Sequence, residues 1–199
     1  MRTFGRGLRV IQSYRQSDSD PLEPEELASA LKVMVGSGLT EYDTARSYGK
    51  EHIIGAAVAS LPPELSAQLT ISTKTSPTNP DGGGRGGFSR AAVLRQGDMS
   101  REQLQRKQVL VCYLHSPDVE TDLDETLAAM DDLYRQGFFQ EFGVSNFPAW
   151  QVMQIWMKCK ERGFCLPRVY QGVYNPIARQ VEADILPCCR MLGMRFNAW

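Results

Sequence analysis

"VLVCYLHSPDVETDLDETLAAMDDLYRQGFFQEFGVSNF", residues 109–147, contains a strand pattern, a helix pattern and a second strand pattern in immediate succession. The run 109–115 is apolar almost throughout and has the length of a β-strand. Over 122–137, leucine and methionine recur at helical spacing, and a final glycine is a natural stop. Because a second β-type run, 139–147, follows at once, the stretch predicts a strand-helix-strand unit of a parallel sheet.

The same alternation extends from this unit in both directions along the chain. Further strands are predicted at 38–45, 69–76, 168–176 and 194–199, and further helices at 23–38, 49–61, from Ser89 onward, 148–163 and 179–193. Six clear strands, with a faint seventh at 2–8, favour an α/β fold of the (β/α)8 TIM-barrel type. The barrel is expected to be incomplete, with its last strand and final helices missing. We expect residues 1–199 to form one domain, the N-terminal two-thirds of the barrel.

The main alternative for alternating strands and helices is a doubly wound Rossmann sheet. Such a sheet carries a glycine fingerprint in its first strand-helix turn, and none stands there. A literal GxGxxG does occur at Gly82, Gly84 and Gly87, but it lies well beyond the strand that ends near Lys74. We interpret this glycine run as a flexible loop, with a phosphate cradle as the less favoured alternative.

Composition narrows the class of protein. The chain has 199 residues, 42% of them hydrophobic, and a formal net charge of -1. These values fit one globular domain, and the balanced charge gives no electrostatic case for nucleic acid or an acidic membrane surface. The apolar runs are too short to span a bilayer. We therefore expect neither nucleic-acid nor membrane partners.

The cysteines and the N-terminus bear on location. The five cysteines form no CxxC pair, and only two histidines accompany them, which favours reduced thiols and no metal site. We expect a cytoplasmic protein. The N-terminal stretch is rich in arginine and serine and has no acid before Asp18, so a mitochondrial transit peptide stays open beside a surface strand or arm.

Polar and aromatic residues follow nearly every predicted strand. In a parallel barrel, the carboxyl ends of the strands converge on one face, where such enzymes keep their chemistry. The residues concerned are, in chain order, Asp43, Tyr48, Lys74, His115, Ser145, Asn146, Gln171 and Trp199. Each has a structural explanation when taken singly, such as Asp43 as a helix cap or His115 as a buried structural histidine.

Taken together, four of these residues form a chemical unit. A tyrosine donates a proton readily only if its pKa, near 10 unperturbed, is lowered. The Lys74 ammonium would lower the pKa of Tyr48 by favouring phenolate, and Asp43 can hold that lysine in place. A neutral His115 can orient a carbonyl oxygen. Hydride reduction of an aldehyde or ketone needs these groups, whereas hydrolysis would need a different set.

The segments "YDTARSYG", "ISTK", "YLHSPD", "GVSNF", "YQGVYNP" and "LPCCRMLGMRFNAW" resemble the aldo-keto reductase superfamily, most closely its aflatoxin aldehyde reductase branch, over about 38–199. The resemblance implies an NADP(H)-dependent reductase. It assigns Tyr48 as general acid, Lys74 and Asp43 as its supports, and His115 as the carbonyl-binding residue. It also implies that the nicotinamide carboxamide lies against Ser145, Asn146 and Gln171. Trp199 falls where the family stacks an aromatic residue, usually tyrosine, on the nicotinamide ring.

The sequence departs from that family in three ways. It stops at Trp199, its first strand survives only as "RTFGRG", and Gly97 stands where an apolar helix residue is expected. Mid-helix glycine costs about 1 kcal/mol relative to alanine. The alternative hypothesis is therefore a catalytically weak or inert barrel that acts as a binding or regulatory module. Unpaired barrel edges would also favour self-association.

Overall fold

In the described part of the chain, the sheet has seven parallel strands that lie in chain order. The computed structural model describes residues 10–12, 23–81 and 84–199. The strands are β1 Val10–Gln12, β2 Glu41–Asp43, β3 Thr70–Thr75, β4 Val109–Leu114, β5 Phe139–Ser145, β6 Pro167–Gly172 and β7 Arg195–Ala198. Every pairing joins neighbours in the sequence, from β1 with β2 to β6 with β7. This is the strand order of a (β/α)8 barrel, and the predicted fold class of an incomplete barrel is confirmed.

Helices connect the strands. They are α1 Pro24–Gly36, α2 Glu51–Ala59, α3 Pro63–Ser66, α4 Arg90–Leu104, α5 Leu123–Arg135, α6 Ala149–Arg162 and α7 Ile185–Leu192, with 3-10 turns at Arg46–Tyr48 and Gln180–Glu182. The unit over 109–147 forms as predicted. The Asp122 side chain caps α5 by accepting from the backbone of Asp124 and Glu125, and Gly137 follows the helix with a φ of 73°. Buried leucine and methionine on α5 pack into the core.

The structure differs from the sequence-based boundaries in a few places. The helix predicted from Gly49 begins at Glu51, because Gly49 adopts a left-handed conformation (φ 65°) that closes the preceding 3-10 turn. The short helix α3 was not predicted. The faint strand expected at 2–8 lies outside the described residues, and the structure has its first strand just beyond it, at Val10–Gln12.

Gly97 has a packing explanation that the sequence did not reveal. It lies within α4, and a Cβ atom placed on it would stand 2.6 Å from Cδ2 of Leu133 on α5. The missing side chain lets the fully buried Leu133 approach the α4 backbone. The cost of glycine in the helix is therefore offset by close packing of two neighbouring helices.

Hydrogen bonds within the glycine-rich loop between β3 and α4, and between the loop and Gln96 on α4, restrain its backbone. The Gly87 amide donates to the Pro77 carbonyl at 2.9 Å. The buried Gln96 side chain donates to the carbonyls of Gly87 and Ser76, at 2.8 and 3.1 Å, and accepts from the Ser76 amide at 2.7 Å. Because the Gly87 N–H is already paired, it is not free to bind a phosphate. Gly82, the first glycine of the GxGxxG pattern, lies outside the described residues.

Three further observations concern the described part of the chain only. It contains no helix long and apolar enough to cross a membrane. It contains no group of three or more histidine, cysteine or acidic residues arranged to hold a metal ion. All five cysteines fall within it, and each is a free thiol.

Candidate active site

A buried ion pair lies at the base of the site. Asp43 ends β2 and Lys74 lies near the end of β3, the adjacent strand, so their side chains meet inside the barrel. Lys74 Nζ donates to Asp43 Oδ2 and, at 2.8 Å, to the backbone carbonyl of Thr44. The two side chains are 1% and 2% exposed. Burial raises the pKa of the Asp43 carboxyl and lowers the pKa of the Lys74 ammonium, while the attraction between the two charges opposes burial in each.

Tyr48 and His115 contact each other above this pair. Tyr48 ends the 3-10 turn that follows β2, and His115 comes directly after β4. Lys74 Nζ lies 5.1 Å from the centroid of the Tyr48 ring. The Tyr48 and His115 rings meet edge to face with centroids 5.6 Å apart. The four residues predicted as a catalytic unit are therefore brought together.

His115 is held as a neutral imidazole. Burial, and after it the positive charge of Lys74, lowers the pKa of His115 from 6.5 to about 4. Its Nδ1 lies 3.1 Å from the Ser47 hydroxyl, and its backbone N–H donates to the Thr75 carbonyl at 3.1 Å. A neutral imidazole with one nitrogen hydrogen-bonded in this way can offer the other as a donor.

The residues expected to bind nicotinamide lie beside His115. Asn146 adopts a left-handed backbone conformation (φ 62°), which asparagine tolerates better than most residues. Its amide donates to the His115 carbonyl at 3.0 Å and to the Ser145 hydroxyl at 3.1 Å, and its backbone N–H donates to the Gln171 carbonyl at 3.3 Å. Gln171 is 3% exposed, and its Oε1 has no hydrogen-bond partner. The Gln171 side chain also favours the charged form of Asp43, which lowers the pKa of that carboxyl against the larger effect of burial.

Trp199 is set apart from the other seven residues. It follows β7, its backbone N–H donates to the Gly172 carbonyl at 3.1 Å, and its side chain is 44% exposed. The contacts described above connect the other seven residues to one another, while the Trp199 side chain lies at the outer edge of the site.

Sequence reasoning missed several residues that shape this site. Thr44 and Ser47 lie in the same segment as Asp43 and Tyr48, yet their roles depend on a carbonyl and a hydroxyl that meet distant residues. Tyr113 is buried with its ring 5.9 Å from Lys74 Nζ, and its hydroxyl accepts from Asn197 at 3.0 Å. The available signal for Tyr113 was its place in β4 two residues before His115, on the same side of the strand.

Comparison with known proteins gives a consistent result. The sequence profile described as "Aldo/keto reductase family" matches residues 12–199. The chain is 39% identical over 180 residues to human "Aflatoxin B1 aldehyde reductase member 2", covering 86% of this chain and 47% of that protein. The rat protein of the same name is 38% identical over 86% of this chain and 46% of its own length. "Oxidoreductase sirO" of Leptosphaeria maculans is 36% identical over 90% of this chain and 52% of its own length.

The chain spans about half the length of these curated relatives. The profile match covers nearly the whole chain and begins at Gln12, further upstream than the motifs alone indicated. The strand order, the position of the polar residues at the strand ends and this match agree, and the chain belongs to the aldo/keto reductase family.

Proposed function

We propose that the protein catalyses NADPH-dependent reduction of an aldehyde or ketone to an alcohol. The observation that carries the proposal is the contact of Tyr48 with both the Lys74 ammonium and the His115 ring, above the buried Asp43 carboxylate. An acid, a charge that modulates it and a neutral hydrogen-bond donor are thus adjacent. A protein that only binds ligands or partners has no need of this set.

Tyr48 acts as the general acid in this proposal. An ammonium 5.1 Å from the ring centroid stabilises the phenolate relative to the phenol, so the proton is given up more easily. Asp43 and the Thr44 carbonyl fix the ammonium in that position. The ion pair is buried, so its effect on Tyr48 is weakly screened by solvent.

His115 holds the carbonyl oxygen of the substrate. Its low pKa, about 4, keeps it neutral at physiological pH, so it donates a hydrogen bond without competing with Tyr48 as an acid. The Ser47 hydroxyl at Nδ1 and the Thr75 carbonyl at the backbone N–H fix the ring. A preorganised donor of this kind stabilises the negative charge that develops on the oxygen during reduction.

The residues beside His115 fit a nicotinamide carboxamide. Gln171 Oε1 is buried and unpaired, so it can accept from the amide of a ligand that reaches it. Ser145 pairs with Gln171 in the sheet, and its hydroxyl, which accepts from Asn146, can still donate to a ligand. The Asn146 amide donates both N–H bonds within the protein and has its oxygen left to accept. The exposed Trp199 ring offers an apolar face for stacking. Reduced nicotinamide held by these residues would supply the hydride to the carbonyl carbon, and we take the cofactor to be NADPH.

The test compares two tyrosine variants of the purified chain. Loss of NADPH absorbance is followed with a panel of aldehydes and ketones. Tyr48→Phe should lower turnover by roughly 10²–10⁴-fold, because the proton donor is gone, and should keep cofactor binding near that of the parent. Tyr134→Phe, which removes a hydroxyl on the outer helix α5, is the matched control and should retain activity.

Two outcomes would contradict the proposal. Turnover by Tyr48→Phe within a few-fold of the parent would remove Tyr48 from the role of acid. A parent chain that binds NADPH but reduces none of the carbonyl compounds would favour the binding or regulatory module instead.

A further inference from the structure

A second buried carboxylate, Glu51, lies beside the site. Burial lowers the pKa of Lys74, and the charges of Asp43 and, after it, Glu51 oppose that effect. Glu51 is the first residue of α2, and its side chain is fully buried. It accepts hydrogen bonds from the Arg46 guanidinium, from Thr73 Oγ1 at 2.6 Å and from Ser100 Oγ at 3.0 Å. Burying a carboxylate is costly unless it is paired and hydrogen-bonded, and Glu51 has both kinds of partner.

These bonds join three elements around Tyr48. Arg46 and Tyr48 belong to the same three-residue turn, so a bond to Arg46 restrains that turn. Thr73 immediately precedes Lys74 in β3, and successive strand side chains point to opposite faces. The strand residue that reaches outward to Glu51 is therefore next to the one that reaches inward to the site. Ser100 lies on α4.

Arg46 adds a second attachment to the same helix. Its guanidinium also donates to the Gln103 side chain on α4 at 2.8 Å, and it is 13% exposed. By contrast, Ser47 and Gly49, on either side of Tyr48, are exposed. One side of the turn is thus held by the buried hydrogen bonds of Glu51 and Arg46, and the other side is exposed to solvent.

We infer that Glu51 and Arg46 are positioning residues that fix the turn of Tyr48 against Lys74 and His115. The catalytic meaning of this inference rests on the proposed reductase function, but the positioning itself does not. A misplacement of about 1 Å in a reacting group can cost on the order of 100-fold in rate. A turn of three residues needs an anchor to stay within that limit.

The His115 ring is a direct reporter of the position of this turn. It contacts Tyr48 edge to face and lies against Ser47, both in the turn. Only two histidines occur in the chain, so their ring signals are easily resolved by NMR. Magnetic shielding by an aromatic ring falls steeply with distance, and Tyr48→Leu therefore gives the His115 signal expected when the tyrosine ring is removed.

Three further variants test the network in the full 199-residue chain. Glu51→Gln keeps the size of the side chain but removes the charge that pairs with Arg46. Arg46→Lys keeps a positive charge but replaces the planar guanidinium, whose Nη1 donates to both Glu51 and Gln103, with a single ammonium on a more flexible stem. Asp131→Asn is the matched control: Asp131 is also a nearly buried carboxylate, paired with Arg135, but it binds the Cys165 amide before β6, away from the strand ends that form the site.

Glu51→Gln and Arg46→Lys should move the His115 ring signals toward their positions in Tyr48→Leu, and Asp131→Asn should leave them in place. His115 signals in both site variants that coincide with those of the parent would overturn the inference. A shift of the same size in Asp131→Asn would overturn it too, because the change would then reflect general loss of stability. If Glu51→Gln does not fold, Arg46→Lys alone decides between these outcomes.

Kinetics separate this inference from the proposed function. With an active parent, Glu51→Gln should lower kcat/KM by about 10- to 100-fold while the Kd for NADPH stays within about twofold. Unchanged kcat/KM together with shifted His115 signals would show a turn that moves without consequence, and would overturn the catalytic part. Absence of turnover in the parent would refute the proposed function, while the NMR comparison would still decide the positioning.

Discussion

Acid should destabilise this protein through His115, and the size of the effect follows from its surroundings. The folded-state pKa of His115 is about 4, against an ordinary value of 6.5. As the pH falls through 6.5, the unfolded chain takes up a proton on this residue, while the folded protein resists it until about pH 4. Stability contributed by neutral His115 is therefore complete above 6.5 and is lost between 6.5 and 4. At 1.36 kcal/mol per pH unit, that interval corresponds to about 3 kcal/mol.

Urea unfolding at a series of pH values measures this contribution. The drop in unfolding free energy between pH 7.5 and 4 should be smaller by about 3 kcal/mol in His115→Gln than in the parent, because glutamine does not titrate. His52→Gln, which removes the exposed histidine of α2, is the matched control. An NMR titration of His115 should also give a midpoint near 4. A midpoint near 6.5, or the same pH dependence in His115→Gln and His52→Gln, would show that His115 is not held neutral by burial.

Three further predictions concern the ion pair, the helix packing and the outer edge of the site. Lys74→Met should lower the unfolding free energy by about 3–5 kcal/mol because Asp43 is left buried without its counter-ion, and the double variant with Asp43→Asn should recover most of that loss in urea. A double variant as unstable as Lys74→Met would contradict this. Gly55→Ala on α2 should lower the Tm. The alanine gains about 1 kcal/mol in helix propensity, but its Cβ would lie 2.0 Å from a backbone carbonyl oxygen of α4. A raised Tm would show that α2 and α4 separate easily. Trp199→Leu should abolish most of the tryptophan quench caused by NADPH, whereas Trp150→Leu on α6 should not, and an undiminished quench would place the cofactor elsewhere.

Local sequence was sufficient for the element pattern of the barrel. A continuous apolar run marked β4, helical spacing marked α5 and α6, and glycine stops marked the helix ends, so these three elements were confirmed within two residues. The predicted strand at 168–176 was too long, because β6 ends at Gly172. The same pattern placed Asp43, Lys74 and His115 at or near strand ends. A parallel strand-helix repeat brings those ends to one face of the barrel. The catalytic roles of these residues stay predictions, because only activity assays of the protein and its variants test them.

Spacing along the chain was enough to predict the order of strands and helices and the face on which the polar strand ends converge. The contacts that those residues make come from the packed fold. The Glu51 carboxylate meets Thr73 and Ser100, 22 and 49 residues away, and Gly97 is accommodated by Leu133 on the neighbouring helix. Burial then sets the charge state of the site: it lowers the pKa of His115 to about 4, although nothing in the residues beside His115 in the chain indicates it. Contacts between distant segments and the loss of solvent around them are properties of the packed fold, and no local pattern encodes them.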